Sequence, residues 1–174
     1  MSTSQATVPR MPPHSEEAEK SLLGAVLLDG DRLIEVMTLV QPEDFYVTAH
    51  QKIYAACEQL YAAGKRVDAT LILEELRRTE DLEKVGGEAY LAHLAGLVPS
   101  AAGAEDYARI VSDKAVLRGL IHTCTEIQTS AYGGTVPGDE LLDWAEGQVF
   151  GLSRGAADQQ THGIAAVLTE AFEE

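Results

Sequence analysis

The chain has 174 residues, 45% of them apolar, which allows one ordinary domain or a compact domain with an appendage. Its 28 acidic side chains against 13 basic ones leave a formal charge of −15, so the surface repels phosphate backbones and excludes non-specific wrapping of nucleic acid by this chain alone. Such a surface suits an interaction module with basic partners, or simply a soluble cytoplasmic protein.

Residues 1–13 carry Ser, Thr, Gln and three prolines but no apolar run, and read as a disordered lead rather than a signal peptide. No stretch is apolar for long enough to make a membrane helix. Ser15 followed by Glu16, Glu17 and Glu19 marks a helix start, with the acidic side chains at the positive end of the dipole. Ala18, Leu22, Ala25 and Val26 form its core stripe up to Leu28. Asp29-Gly30-Asp31 is a turn that recaps a second helix bearing Leu33, Ile34, Val36, Met37 and Val40. It is not a calcium loop: Leu33 stands where a third oxygen ligand is needed, and no Glu closes twelve residues.

The link Pro42-Glu43-Asp44-Phe45-Tyr46 is expected to plant an aromatic pair in the core, and Thr48 to cap a third helix. Ile53, Tyr54, Cys57, Leu60 and Tyr61 lie on one side of that helix, which Gly64 ends. Lys65-Arg66 reads as a complement to the helix dipole rather than a phosphate contact. Asp68 caps a fourth helix with Leu71, Ile72, Leu73 and Leu76 inside and Glu74, Glu75, Arg77 and Arg78 outside. Gly86-Gly87 is a sharp turn; no Lys-Ser or Lys-Thr follows, so it is not a phosphate loop. Tyr90, Leu91, Leu94 and Leu97 give a fifth short helix before Pro99.

Between Gly103 and Gly133 there is no Pro and no Gly except Gly119, which predicts one helix about 40 Å long at about 1.5 Å per residue. Ile110, Leu117, Ile121 and Cys124 form one apolar stripe on it. Tyr107 and Val111 extend the stripe on one side, and Val116, Leu120 and Ile127 on the other. The arc covers roughly 220°, about twice what a helix on a single core requires. After the turn signals Gly133, Gly134, Pro137 and Gly138, the residues Leu141, Leu142, Ala145, Val149 and Leu152 recur at helical spacing, so the two helices form a hairpin. Trp144 and Phe150 point away from the stripe of the second helix. The surplus apolar surface is assigned to a second copy of the same hairpin, the alternative being that both faces pack on the N-terminal part of the same chain.

Residues 154–163 form a polar linker, after which Ile164, Val167, Leu168, Ala171 and Phe172 share one helical face. That face is made to dock on something, and an uncapped end at Glu174 suggests a piece of a larger protein. The fold expectation is all-α: a compact multi-helix head over residues 14–101, then a protruding antiparallel hairpin over residues 102–153.

No catalytic constellation is read. The carboxylates are placed on solvent faces of helices, no serine sits on a nucleophile elbow, and no glycine-rich nucleotide loop occurs. Cys57 and Cys124, each in an apolar helical pattern, read as two reduced core thiols. His14, His50, His93, His122 and His162 have no metal-ligand spacing, so neither metal nor cofactor is expected in this chain.

Specific wording then becomes informative. Pro13-His14-Ser15-Glu16-Glu17-Ala18-Glu19-Lys20-Ser21-Leu22-Leu23-Gly24, Pro42-Glu43-Asp44-Phe45-Tyr46, His50-Gln51-Lys52-Ile53-Tyr54, Val67-Asp68, Val85-Gly86-Gly87, Tyr90-Leu91, Pro99-Ser100-Ala101 and Tyr107-Ala108-Arg109-Ile110-Val111 occur in this order. Together they resemble the N-terminal domain of the bacterial replicative DNA helicases, the DnaB family. The resemblance covers residues 12–152, and the segment from Ile164 is similar to the start of the family's linker helix.

The resemblance implies a helical head and hairpin that assemble with other copies as dimers, as a trimer of dimers or as a hexamer. This collar sits on ATP- and Mg-dependent motor domains, which move along single-stranded DNA, and it offers a docking face to primase, with a helicase loader as a further partner. It implies subunit contacts through Ile110, Leu117, Leu120, Ile121, Cys124, Ile127, Leu141, Leu142, Trp144, Val149 and Phe150. Ile164, Val167, Leu168 and Phe172 would dock on a neighbouring motor. Ala101-Ala102-Gly103-Ala104 departs from the family, which more often has an Asn leading into the long helix, and losing that cap is expected to loosen the hairpin's base. A stand-alone primosome adaptor or loader without a motor is the rival reading.

Overall fold

The computed structural model describes residues 11–152, which are helical and contain no strand. Helix α1 (Glu16–Leu28) starts where Ser15 Oγ accepts from the Ala18 N–H at 3.3 Å. It runs through the middle of the head and packs on α3 (Thr48–Ala62), α5 (Gly87–Leu97) and α6 (Ala104–Gly133). Leu22, Leu23, Ala25 and Val26 are completely buried there. Gly24 lets α5 come close: a Cβ at that position would lie 2.4 Å from the Leu94 carbonyl oxygen.

Helix α2 (Arg32–Val36) is shorter than its apolar run predicts. The chain leaves the helix after Val36, yet Leu39 and Val40 still reach the core from the turns that follow. Asp29 bridges the α1–α2 turn by accepting from the Asp31 N–H at 3.2 Å, while Asp31 itself makes no side-chain cap.

The aromatic pair divides. Phe45 is buried against Tyr54, with ring centroids 4.9 Å apart, whereas Tyr46 stays at the surface, stacked on His14 at 4.2 Å. Thr48 is not the cap of α3 but its first residue, and Val47 holds the cap position. Helix α4 (Ala69–Arg78) opens as expected, with Asp68 accepting from the Leu71 N–H at 2.9 Å. Gly86 and Gly87 both take positive φ, 101° and 73°, and turn the chain into α5.

Helix α6 runs unbroken for 30 residues and ends at Gly134, whose φ of 60° reverses the chain. A seventh helix, α7, follows over residues 138–152. Gly119 lies fourteen residues before Gly133, and Leu152 fourteen after Gly138. A Cβ on Gly119 would lie 2.7 Å from Leu152 Cδ2, the match expected of two antiparallel helices of equal reach.

Candidate functional site

Helix α6 presents three apolar faces. Ala104, Ala108 and Val111 are buried against the head. Further round, Gly119 and the buried Thr123, with half-buried Val116, Leu120 and Ile127, occupy the side on which Leu152 of α7 lies. The remaining face carries Ile110, Leu117, Ile121 and Cys124 at spacings of seven, four and three residues. All four are exposed, Ile121 to 53%. The wide apolar arc expected of α6 divides into these three faces, and the described residues of one subunit cover two of them.

The attitude of α6 on the head is fixed by Arg118. Its Nη1 donates to the Pro13 carbonyl at 2.9 Å, and Nη2 donates to the Asp44 carbonyl. The guanidinium lies 5.8 Å from the centroid of the Tyr46 ring, within reach of a cation–π contact. Burial pushes the Asp44 carboxyl upward, opposed by the Gln41 N–H and by the nearby guanidinium. An open groove of about 520 Å³ beside this clasp is lined by Met11, Pro12, Arg118, Ile121, His122 and Thr125.

Two carboxylates overturn the expectation that all of them face solvent: Glu75 of α4, buried while it pairs with Arg78, and Glu19. Glu19 is 1% exposed, and its Oε1 accepts from the Tyr46 N–H at 2.7 Å. Its Oε2 accepts from the Val47 N–H at 3.2 Å and meets His50 Nδ1 at 2.7 Å. Glu19 thus ties the backbone of Tyr46 and of the cap residue Val47, just ahead of α3, to α1, while Val47 itself makes no side-chain cap. His50, fully buried, places Nε2 2.8 Å from the Tyr90 hydroxyl. With Nδ1–H donated to the carboxylate, Nε2 and the Tyr90 hydroxyl share the second hydrogen bond of the ring. The sequence held a signal for this: Glu19 is in helical phase with Leu22, Leu23 and Val26, and His50 with Ile53, Tyr54 and Cys57.

Other expected positions fall as follows. Cys57 is buried, and burial pushes its thiol up to about 12, whereas Cys124 is exposed and is not a core thiol of this subunit. On α7, Leu141 is half-buried while Leu142, Trp144, Val149 and Phe150 are exposed. Ile164, Val167, Leu168 and Phe172 lie outside the described residues. Among the described residues no group of His, Cys, Asp and Glu could hold a metal ion, and no helix is long and apolar enough to cross a membrane.

A family model for the DnaB-like helicase N terminal domain matches residues 11–113. The chain is 41% identical over 164 residues to the replicative DNA helicase DnaB of Geobacillus stearothermophilus, covering 94% of this chain and 36% of that protein. It is also 41% identical over 144 residues to the replicative DNA helicase DnaB of Treponema pallidum, covering 83% of this chain and 33% of that protein. The chain thus spans about a third of the length of these relatives. A crystal structure of the N-terminal domain of DnaB helicase from Mycobacterium tuberculosis superposes with a TM-score of 0.76 at 38% identity, over 80% of this chain and 99% of that one. The helical head, the long α6 and these likenesses agree: the chain belongs to the DnaB-like helicase N-terminal domain family.

Proposed function

We propose that this chain is the N-terminal, non-catalytic part of a replicative DNA helicase, and that it sets subunit association. The observation that carries the reading is the third face of α6, where Ile110, Leu117, Ile121 and Cys124 remain exposed after the head and α7 have covered the other two. Burying that stripe against a second copy contributes roughly 25 cal/mol per Å² of apolar surface, before the costs of ordering are subtracted. Leu120, Ile127 and Leu141 support the seam from within the hairpin, and six copies arrange as a trimer of dimers.

In this reading the collar stands on motor domains that bind ATP and Mg and unwind duplex DNA at the fork in the cytoplasm. Ile164, Val167, Leu168 and Phe172 dock on a neighbouring motor, primase engages the collar, and a loader helps place the ring on single-stranded DNA. The test is molar mass by light scattering across concentration. The chain assembles beyond a monomer, and Leu117→Asp or Ile121→Asp shifts it toward smaller species while circular dichroism stays helical. Variants that assemble like the parent overturn the reading.

A further inference from the structure

The α6 stripe is too small to hold a pair by itself. Ile110 is 42% exposed, Leu117 37% and Ile121 53%, and with Cys124 they make only four residues. A stable interface takes roughly 20 residues and about 800 Å² from each partner. One flank of the stripe is taken by α7, with Leu152 against Gly119. On the other flank, at about 100° per residue, Ile121 stands between the stripe and the line of Arg118, His122 and Thr125. These four residues line the open groove of about 520 Å³ whose far wall is the arm residues Met11 and Pro12. Met11 is 73% exposed. The arm is held in place: Arg118 Nη1 donates to the Pro13 carbonyl at 2.9 Å, and His14 Nδ1 donates to the Pro12 carbonyl at 2.7 Å while its ring stacks on Tyr46.

We infer that this groove is the second half of the pairing surface: it seats an apolar side chain from the α6 stripe of a second copy, between Met11 and Pro12 on one wall and Ile121 and Thr125 on the other. The inference rests on the reading of α6 as the association face and adds the residues that complete that face. Continuity points to a second copy, because Ile121 belongs to both stripe and groove, and a copy lying on the stripe already covers the groove's edge. Charge points the same way. Two chains of net charge −15 meet with least repulsion where carboxylates are few. The groove lining has none, and Glu126 beside it is paired with His122 at 3.5 Å. A two-fold pair is isologous, so each stripe enters the other copy's groove and one contact buries both. Arg118 is a positioning residue here: its hold on Pro13 builds the wall before a partner arrives, which lowers the ordering cost of association.

The experiment measures the self-dissociation constant of the whole chain from molar mass across concentration, with circular dichroism in parallel. Met11→Asp and Thr125→Glu each weaken pairing about tenfold or more, since either puts a charge into a seat that the partner dries. Tyr61→Asp, at an exposed position on α3, changes it by less than about twofold. Arg118→Ala weakens pairing while the spectrum stays helical, and Arg118→Lys recovers part of the loss. A second readout needs no substitution. Peroxide oxidation of the Met11 thioether slows as protein concentration rises, while half-buried Met37 in the head oxidises at one rate throughout. Should Leu117→Asp dissociate the pair while Met11→Asp and Thr125→Glu leave it intact, the inference falls and the stripe reading stands. A Leu117→Asp variant that associates like the parent removes both. Met11 protected equally at every concentration puts a segment of the same chain in the groove, and Met11 oxidised equally fast in a preparation that associates shows that no copy enters it; either result overturns the inference. Weakening of the same size from Tyr61→Asp also overturns it, because the effect then does not belong to the groove.

Discussion

The guanidinium of Arg118 holds the carbonyl of Pro13, 105 residues earlier in the chain, at 2.9 Å. Because the same group also binds the Asp44 carbonyl and lies near the Tyr46 ring, one side chain ties α6 to both the chain entry and the turn before α3. Arg118→Ala removes two charge-assisted hydrogen bonds and leaves two carbonyls to be satisfied by water, a loss of about 2–3 kcal/mol. Arg118→Lys restores one donor direction and recovers only part of it, since an ammonium lacks the planar fork. Thermal unfolding checks the magnitude. Hydrogen exchange checks the place: protection falls at His14, in residues 43–46 and in the middle of α6, and a uniform loss across the head speaks against the clasp.

Glu19 and His50 form the costliest polar pair to break. Glu19→Ala leaves the Tyr46 and Val47 N–H groups and His50 Nδ1 without their acceptor in a buried site, which costs about 3–5 kcal/mol. Glu19→Gln keeps an amide oxygen for the backbone donors and loses less. In a double-mutant cycle with His50→Phe, the two losses are far from additive, because the first change already strands the partner. Urea unfolding measures all four corners. Additive losses mean that the two side chains act independently.

The difference between what was legible in the sequence and what was not has a physical source. Helix α6 could be read because the absence of Pro over 30 residues and a wide apolar arc leave few other conformations, and α4 because Asp68 makes its own local cap. The entry into α3 could not, since the N–H groups of Tyr46 and Val47 are held by Glu19 on another helix, and a carboxylate in the first turn of α1 already has a sufficient local explanation in the helix dipole. Tyr46 and Cys124 were misplaced for a related reason. Periodicity reports which residues are apolar, not whether the surface that covers them belongs to the same subunit, to a stacked His14 or to another copy.

Glycines in two helices have opposite roles. Adding a Cβ at Gly24 drives it to 2.4 Å from the backbone oxygen of Leu94, which cannot swing away, so α1 and α5 must separate. At Gly147, within α7, a Cβ meets nothing within 4 Å. Gly24→Ala therefore destabilises by about 1–3 kcal/mol, while Gly147→Ala stabilises by up to about 1 kcal/mol through helix propensity. Thermal melts of the two single variants should move in opposite directions; movement in the same direction removes the packing argument for Gly24.

Asp81 gives the chain an acid-side dependence with a definite sign. Lys52 at 2.7 Å and Lys84 at 2.8 Å hold its carboxyl down at about 2, their hydrogen bonds outweighing burial. The unfolded value is about 3.9, so the contribution is present above about pH 4 and is lost as pH falls through 2. In Asp81→Asn no such proton uptake occurs. The stability gap between parent and variant, measured by urea unfolding from pH 5 downward, should narrow as pH approaches 2. A constant gap means that Asp81 is not coupled to the two lysines across folding.

The two cysteines report on folding and pairing separately. Cys57 is enclosed in the core with its thiol raised to about 12, so an aromatic disulfide reagent reaches it only after the head opens. Cys124 is exposed on the α6 stripe with Ile110, Leu117 and Ile121, and reacts in the native protein. If that stripe is where copies meet, native labelling of Cys124 slows as protein concentration rises, and Leu117→Asp abolishes the slowing without touching the Cys57 rate. Labelling of Cys124 that is independent of concentration, in a preparation whose molar mass shows association, moves the contact to another face of the molecule.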